Sequence, residues 1–128
     1  MAKGGLPRVE IYGADYPTKD GTCVRDYIHV DDLVDAHVLA LKYVVDGGKS
    51  DIFNLGNGTG FNVREIIGVA EQVLGTTLPV VEDVRREGDP AVLVADSEKA
   101  RTVLGWEPKH SELADIIESA WKWEKTRR

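Results

Sequence analysis

A single-domain α/β fold is predicted by three features of the chain. Short segments with apolar residues at every second position alternate with longer ones whose apolar residues recur every three to four. Turns rich in glycine, asparagine and proline separate them. The 128 residues, 42% of them hydrophobic, suffice for one ordinary core.

Residues 8–12 (Arg-Val-Glu-Ile-Tyr) alternate apolar and polar side chains and predict a strand. Residues 13–22 hold Pro17 and Asp20-Gly21, so they form a loop. Residues 26–30 are β-branched and aromatic and predict a short second strand. Asp31 or Asp32 then caps a helix running to about residue 45, with Val34, Val38, Leu41 and Val45 on one face. Gly47-Gly48 ends it. Residues 51–55 read as another apolar strand, followed by Gly56-Asn57-Gly58-Thr59-Gly60. Asn62 and Glu65 have capping-box spacing. The helix they open repeats Val63, Ile66, Ile67, Ala70, Val73 and Leu74 and stops at Gly75. A strand over residues 78–84 comes next, then a short helix over 97–104 ending at Gly105. The last helix runs from 111 to about 125 and turns Leu113, Ile116, Ile117, Ala120 and Trp123 inward. Trp106 and Trp121 read as packing anchors like Trp123, and the chain has no internal repeat.

Composition narrows the function. The net charge is −6, and basic residues cluster only at Arg85-Arg86 and in the tail from Lys125. Nucleic-acid binding needs a basic face or stripe, which is missing. No apolar run reaches the roughly 20 residues that cross a membrane. The first residues, Met-Ala-Lys-Gly-Gly-Leu-Pro, carry no apolar secretory core. Cys23 is the single cysteine, so neither an internal disulfide nor a cysteine metal cluster is expected. Together these features point to the cytoplasm. Cys23, His29 and His37 lack a nucleophile, base or metal-ligand partner nearby in sequence and are expected to be structural.

Strand, glycine-rich turn and helix over residues 51–74 imitate a dinucleotide-binding unit, and Glu82 falls near the place of a ribose-binding acid. The third glycine position, however, holds Phe61, where close helix–strand packing calls for glycine. A tight turn is the better reading. Chemistry rests instead on Arg25 and Arg86, each at a strand end or beyond one. A diphosphate carries about two charges, and guanidinium forks grip its oxygens bidentately. From the residues alone, two surface ion pairs are the favoured reading of these arginines.

Two segments decide between those readings. Residues 15–30 (Asp-Tyr-Pro-Thr-Lys-Asp-Gly-Thr-Cys-Val-Arg-Asp-Tyr-Ile-His-Val) and residues 85–90 (Arg-Arg-Glu-Gly-Asp-Pro) resemble the sugar-nucleotide-binding part of the UDP-glucose 4-epimerase family, in the extended short-chain dehydrogenase/reductase superfamily. The resemblance spans essentially the whole chain but only the C-terminal part of those enzymes. It implies the substrate-binding portion of that fold, with mixed short strands and helices and without the full Rossmann sheet. It also implies that Arg25 and Arg86 hold the UDP pyrophosphate, that Asp89 accepts from the ribose hydroxyls and that Tyr12 stacks on uracil. Glu10 meets the uracil edge through its backbone, Tyr27 supports the sugar–phosphate pocket and Val63 forms an apolar wall. For Tyr12, Tyr27 and Val63 ordinary core packing is the competing reading. One departure concerns Leu93, where some epimerases carry a tyrosine and so a further hydroxyl in the pocket.

The family uses NAD and a catalytic Tyr-x-x-x-Lys, and both belong to the half with no counterpart here. Tyr12, Tyr16, Tyr27 and Tyr43 are never followed four residues later by lysine. The expectation is therefore a UDP-sugar-binding segment with no catalytic residue, no metal and no NAD bound by itself. Met1 to Gly5 resemble the end of an interior helix, as though translation began inside the fold. Related sugar-nucleotide dehydratases and decarboxylases share much of the pattern but less of the 15–22 insert. A purely binding or assembly module is a further alternative. The expected partners are a UDP-sugar, the absent N-terminal domain, and a second copy joined through an exposed sheet edge.

Overall fold

The computed structural model describes residues 8–127, so the reading of Met1 to Gly5 lies outside it. In chain order the elements are β1 (Val9–Tyr12), β2 (Val24–Arg25), α1 (Val30–Val45), β3 (Phe61–Asn62), α2 (Val63–Leu74), β4 (Val80–Asp83), β5 (Val92–Leu93), a π-helical turn (Ala100–Leu104) and α3 (Leu113–Thr126). Two small sheets result. Strands β1 and β4 pair in parallel, with Tyr12 opposite Asp83. Strand β2 lies between β3, antiparallel to it, and β5, parallel to it. Mixed helices and short strands of this kind form part of an α/β fold, as expected.

The core gathers around Trp106, which is fully buried with Ala100 and Ala36 beside it; Ile28, Leu39, Phe53, Leu55 and Leu104 pack on this group. Helix α1 is pinned to the core by its first turn. The Trp106 indole N–H donates to the Asp32 carbonyl at 2.8 Å, and the buried Asp32 carboxylate accepts from the amides of Lys109 and His110 at 2.8 and 2.9 Å. These three polar bonds join residues far apart in sequence and would be costly to leave unmade.

Several expectations are corrected. The second strand occupies residues 24–25, not 26–30, because Asp26 turns its carboxylate to the amides of Asn57 and Ala95 at 2.9 and 3.0 Å. This side-chain bridge replaces the ladder that a longer strand would make. Helix α1 is capped by His29, whose Nδ1 accepts the Asp31 amide at 3.1 Å, and both aspartates sit in the first turn. The stripe of Val34, Val38, Leu41 and Val45 is exposed, while Ala36 and Leu39 face the core. Residues 51–55 join no sheet among the described residues: Phe53 and Leu55 pack inward, and Ile52 is 80% exposed. In α3 Leu113 is buried and Ile116 and Ile117 are half-buried, but Ala120 and Trp123 are exposed. The segment expected as a helix over 97–104 is π-helical at its end and stops at Gly105, at φ 68°.

The remaining elements follow their sequence signals. The Asn62–Glu65 capping box forms, the Asn62 amide donating to Glu65 Oε2 at 2.8 Å. Gly75 closes α2 in the left-handed conformation that glycine adopts at low cost.

Candidate functional site

The parallel pairing of β1 and β4 ends both strands at one edge; β1 carries Glu10 and Tyr12, and the segment leaving β4 carries Arg86 and Asp89. Gly13 donates its amide to the Asp83 carbonyl at 2.9 Å, holding the two exits together. Beyond β4, Arg86 doubles back to Asp89, with Nε and Nη2 each 2.9 Å from Oδ2. Its guanidinium also lies over the Tyr12 ring, 4.8 Å from the centroid. The other Asp89 oxygen faces Arg25 Nη2 at 3.7 Å. Arg25 comes from β2 and donates Nη1 to the carbonyls of Val24 and Pro90 at 2.8 and 2.9 Å.

Tyr12 extends the chain of contacts to Glu10. Its hydroxyl donates to Glu10 Oε2 at 2.7 Å, and Arg8 Nε donates to Oε1 at 3.1 Å. The hydrogen bond to Glu10 raises the Tyr12 hydroxyl above the usual phenol range, and the same bond, with that from Arg8, lowers the Glu10 carboxyl. Thus Arg25, Asp89, Arg86, Tyr12 and Glu10 form one continuous polar surface. Arg25 and Asp89 are partly shielded, with 21% and 24% of their side chains exposed, whereas 61% of Arg86 is exposed. Asp89 balances one of the two guanidiniums, so the three groups together keep one positive charge.

Tyr27 and Val63 join this surface less directly. Tyr27 is half-buried, and desolvation raises its hydroxyl while Arg25 opposes the shift. Val63 donates its amide to the Cys23 carbonyl at 3.1 Å, tying α2 to the start of β2. Core packing therefore accounts for Val63 as readily as a pocket wall does. Cys23 is buried.

Sequence reasoning passed over three neighbours. Arg85 stacks on the buried Tyr16 ring, 4.1 Å from its centroid, and donates Nε to Asp15 Oδ1 at 2.7 Å and Nη2 to the Asp15 carbonyl. The signal was present: Asp15 and Tyr16 open the quoted segment, and Arg85 adjoins Arg86. Only the folded chain shows that they meet.

The glycine-rich turn does not fit a pyrophosphate. The Asn57 amide is taken by Asp26, and the amides of Thr59 and Gly60 by Asn57 Oδ1 at 3.0 Å each. A Cβ at Gly56 would stand 2.1 Å from Asp26 Oδ2, so a carboxylate occupies the space an anion would need. Glu82 is ion-paired with Arg64. His29, Asp31 and His110 stand close enough to suggest a cation site, their ligand atoms within 4.8 Å of one another. The His29 Nδ1 lone pair, however, is committed to the α1 cap.

Comparison with known proteins gives this geometry a lineage. A family model described as the NAD dependent epimerase/dehydratase family matches residues 1–56. The UDP-glucose 4-epimerase of Halalkalibacterium halodurans is 54% identical over 125 residues, which are 98% of this chain and 37% of the relative. A crystal structure of a UDP-glucose 4-epimerase superposes with a TM-score of 0.94 at 49% identity, covering 98% of this chain and 38% of that one. The chain belongs to the extended short-chain dehydrogenase/reductase family. Within that family a UDP-glucose 4-epimerase from Bifidobacterium longum, solved in complex with NAD+ and UDP, superposes at TM-score 0.89 and 40% identity, over 98% of this chain and 37% of its own. The chain thus spans a little over a third of the length of the family members it matches.

Proposed function

We propose that this chain is the UDP-sugar-binding segment of a UDP-glucose 4-epimerase, acting in the cytoplasm and inactive in sugar interconversion by itself. One observation carries the reading: Arg25, on β2, meets Arg86 and Asp89, from the loop after β4, beside Tyr12 at the end of β1. Two guanidiniums flanking one carboxylate suit a diphosphate attached to a diol. The diphosphate takes the forks, and Asp89, released from them, accepts from the ribose hydroxyls. The half-buried ring of Tyr12, already covered by a planar cation, offers a stacking face for a base.

In the whole enzyme, NAD supplies the hydride chemistry that converts UDP-glucose to UDP-galactose through a 4-keto intermediate. The role proposed for these residues is to fix the nucleotide while the hexose stays free to turn, using binding energy remote from the reacting carbon. The natural partner is then the rest of the epimerase fold, and in its absence a second copy of the chain.

Calorimetric titration with UDP tests the site. Arg86→Ala should weaken binding by about 1.5–3 kcal/mol, the range for a hydrogen bond to a charged group, because 61% of the side chain is exposed. Arg86→Lys should fall between, since lysine keeps the charge and loses the fork. Equal affinity in wild type and Arg86→Ala would remove Arg86 from the site. A parallel incubation with NAD and UDP-galactose should yield no UDP-glucose; product at enzymatic rates would overturn the inactivity.

A further inference from the structure

Arg86 and Asp89 sit in a loop that leaves an exposed strand, and all four residues of β4 are exposed. Little apolar burial is available there to fix the loop. What holds it is a contact set around Tyr16. This ring is only 5% exposed although it lies in the long loop between β1 and β2. Arg85 covers one side of it, and the Tyr16 hydroxyl points to the Asp89 carbonyl at 3.5 Å. Arg85 also grips Asp15 through both side chain and backbone. Gly13 has no side chain, and that absence allows the closure: a Cβ there would lie 2.5 Å from the Tyr16 ring and 2.7 Å from Arg85 Cγ. The Tyr16 amide in turn donates to the Gly21 carbonyl at 2.8 Å, so the loop that presents the ring is itself closed.

We infer that Arg85, Tyr16 and Asp15 form a latch that positions Arg86 and Asp89 for a nucleoside diphosphate, and that Arg85 is a positioning residue which does not touch the ligand. The inference rests on the UDP-site reading given above. Its physical content is preorganisation. Arg85 is bonded directly to Arg86 in the chain, so securing Arg85 against Tyr16 limits where Arg86 can reach, and Arg86 lies over Tyr12 beside Asp89. An arginine held in place before the ligand arrives loses less conformational freedom on binding. Binding energy would otherwise be spent on ordering the loop.

Two arms separate the latch from the site it serves. In a double-mutant cycle read by UDP calorimetry, Arg85→Met keeps the packing on Tyr16 but loses the charge and the fork. It should weaken UDP binding about tenfold in the wild-type background and less than about twofold when Arg86 is already alanine. Arg85→Lys, which retains a cation over the ring, should lie between wild type and Arg85→Met. Equal losses in both backgrounds, or no loss in the first, would overturn the positioning role. The second arm needs no ligand. Amide hydrogen exchange should quicken at Tyr16 and Asp89 in Arg85→Met and stay unchanged across α3. Unchanged exchange at Tyr16 and Asp89 would show that no latch exists. If wild type fails to bind UDP, the site reading falls, and the exchange arm still decides whether the latch is real.

Discussion

The Tyr12 hydroxyl is pulled in two directions: Glu10 accepts its proton at 2.7 Å and raises its ionisation, while the Arg86 charge over the ring lowers it. The hydrogen bond prevails. Glu10→Gln should therefore return the Tyr12 midpoint toward the ordinary value of about 10, as read by tyrosinate absorbance. The midpoints of Tyr16 and Tyr27, raised chiefly by desolvation, should not follow. An unaltered titration curve would disconnect Glu10 from Tyr12. The sign for stability follows from the direction. What the Tyr12–Glu10 bond contributes through Tyr12 is present below about pH 10 and is lost as pH rises through the elevated folded value. Asp15 behaves oppositely, because the Arg85 hydrogen bond lowers its carboxyl: its contribution is present above about pH 3.9 and lost as pH falls through the depressed value. Gly13 sits beside both groups at φ 95°. Gly13→Ala should cost at least about 1–2 kcal/mol in backbone strain alone, before the contact with the Tyr16 ring is counted. Urea denaturation with an unmoved midpoint would contradict this.

At the scale of elements, carboxylates bonded to distant backbone amides fix what periodicity left open. The run of β-branched and aromatic residues at 26–30 suggested a strand, yet Asp26 spends its oxygens on Asn57 and Ala95, 31 and 69 residues away. Local composition carries no trace of such long-range bonds. The same limit explains the helix start: three polar residues stood in line to cap α1, and the fold assigned the cap to His29 because Asp32 is needed by Lys109 and His110. The capping box at Asn62, the glycine stops at Gly75 and Gly105 and the β1 alternation were legible because each depends on neighbours within one turn or strand. The site was legible in part. Arg25, Arg86 and Asp89 came from a family pattern, whereas the Arg85–Tyr16 stack required the tertiary structure. Asp32→Ala should leave two amides without their acceptor, at about 1–3 kcal/mol each. Asp32→Asn, which retains one acceptor oxygen, should recover roughly half the loss in urea unfolding. Equal stability of all three proteins would show that water replaces the carboxylate without penalty.

At the scale of the molecule, the apolar stripe of α1 and the exposed Ile52 leave a large hydrophobic surface uncovered among the described residues. Soluble monomers rarely tolerate such a patch, and segment 51–55 has backbone groups free of any sheet. Self-association is the expected outcome. Sedimentation equilibrium at micromolar concentration should report a species of twice the 14.1 kDa chain mass, and the pair Val34→Lys with Ile52→Lys should shift it toward monomer. A clean monomer at every concentration would defeat this expectation. Two of the three tryptophans differ enough in exposure to give an optical reading of the fold. Trp106 is wholly shielded at the centre of the core, whereas Trp123 stands 65% exposed on the far helix. Acrylamide should quench the outer indole at once and reach the inner one only when the core opens. The fluorescence of this chain therefore contains two clocks, one for the surface of α3 and one for the fold itself, and neither needs an added label.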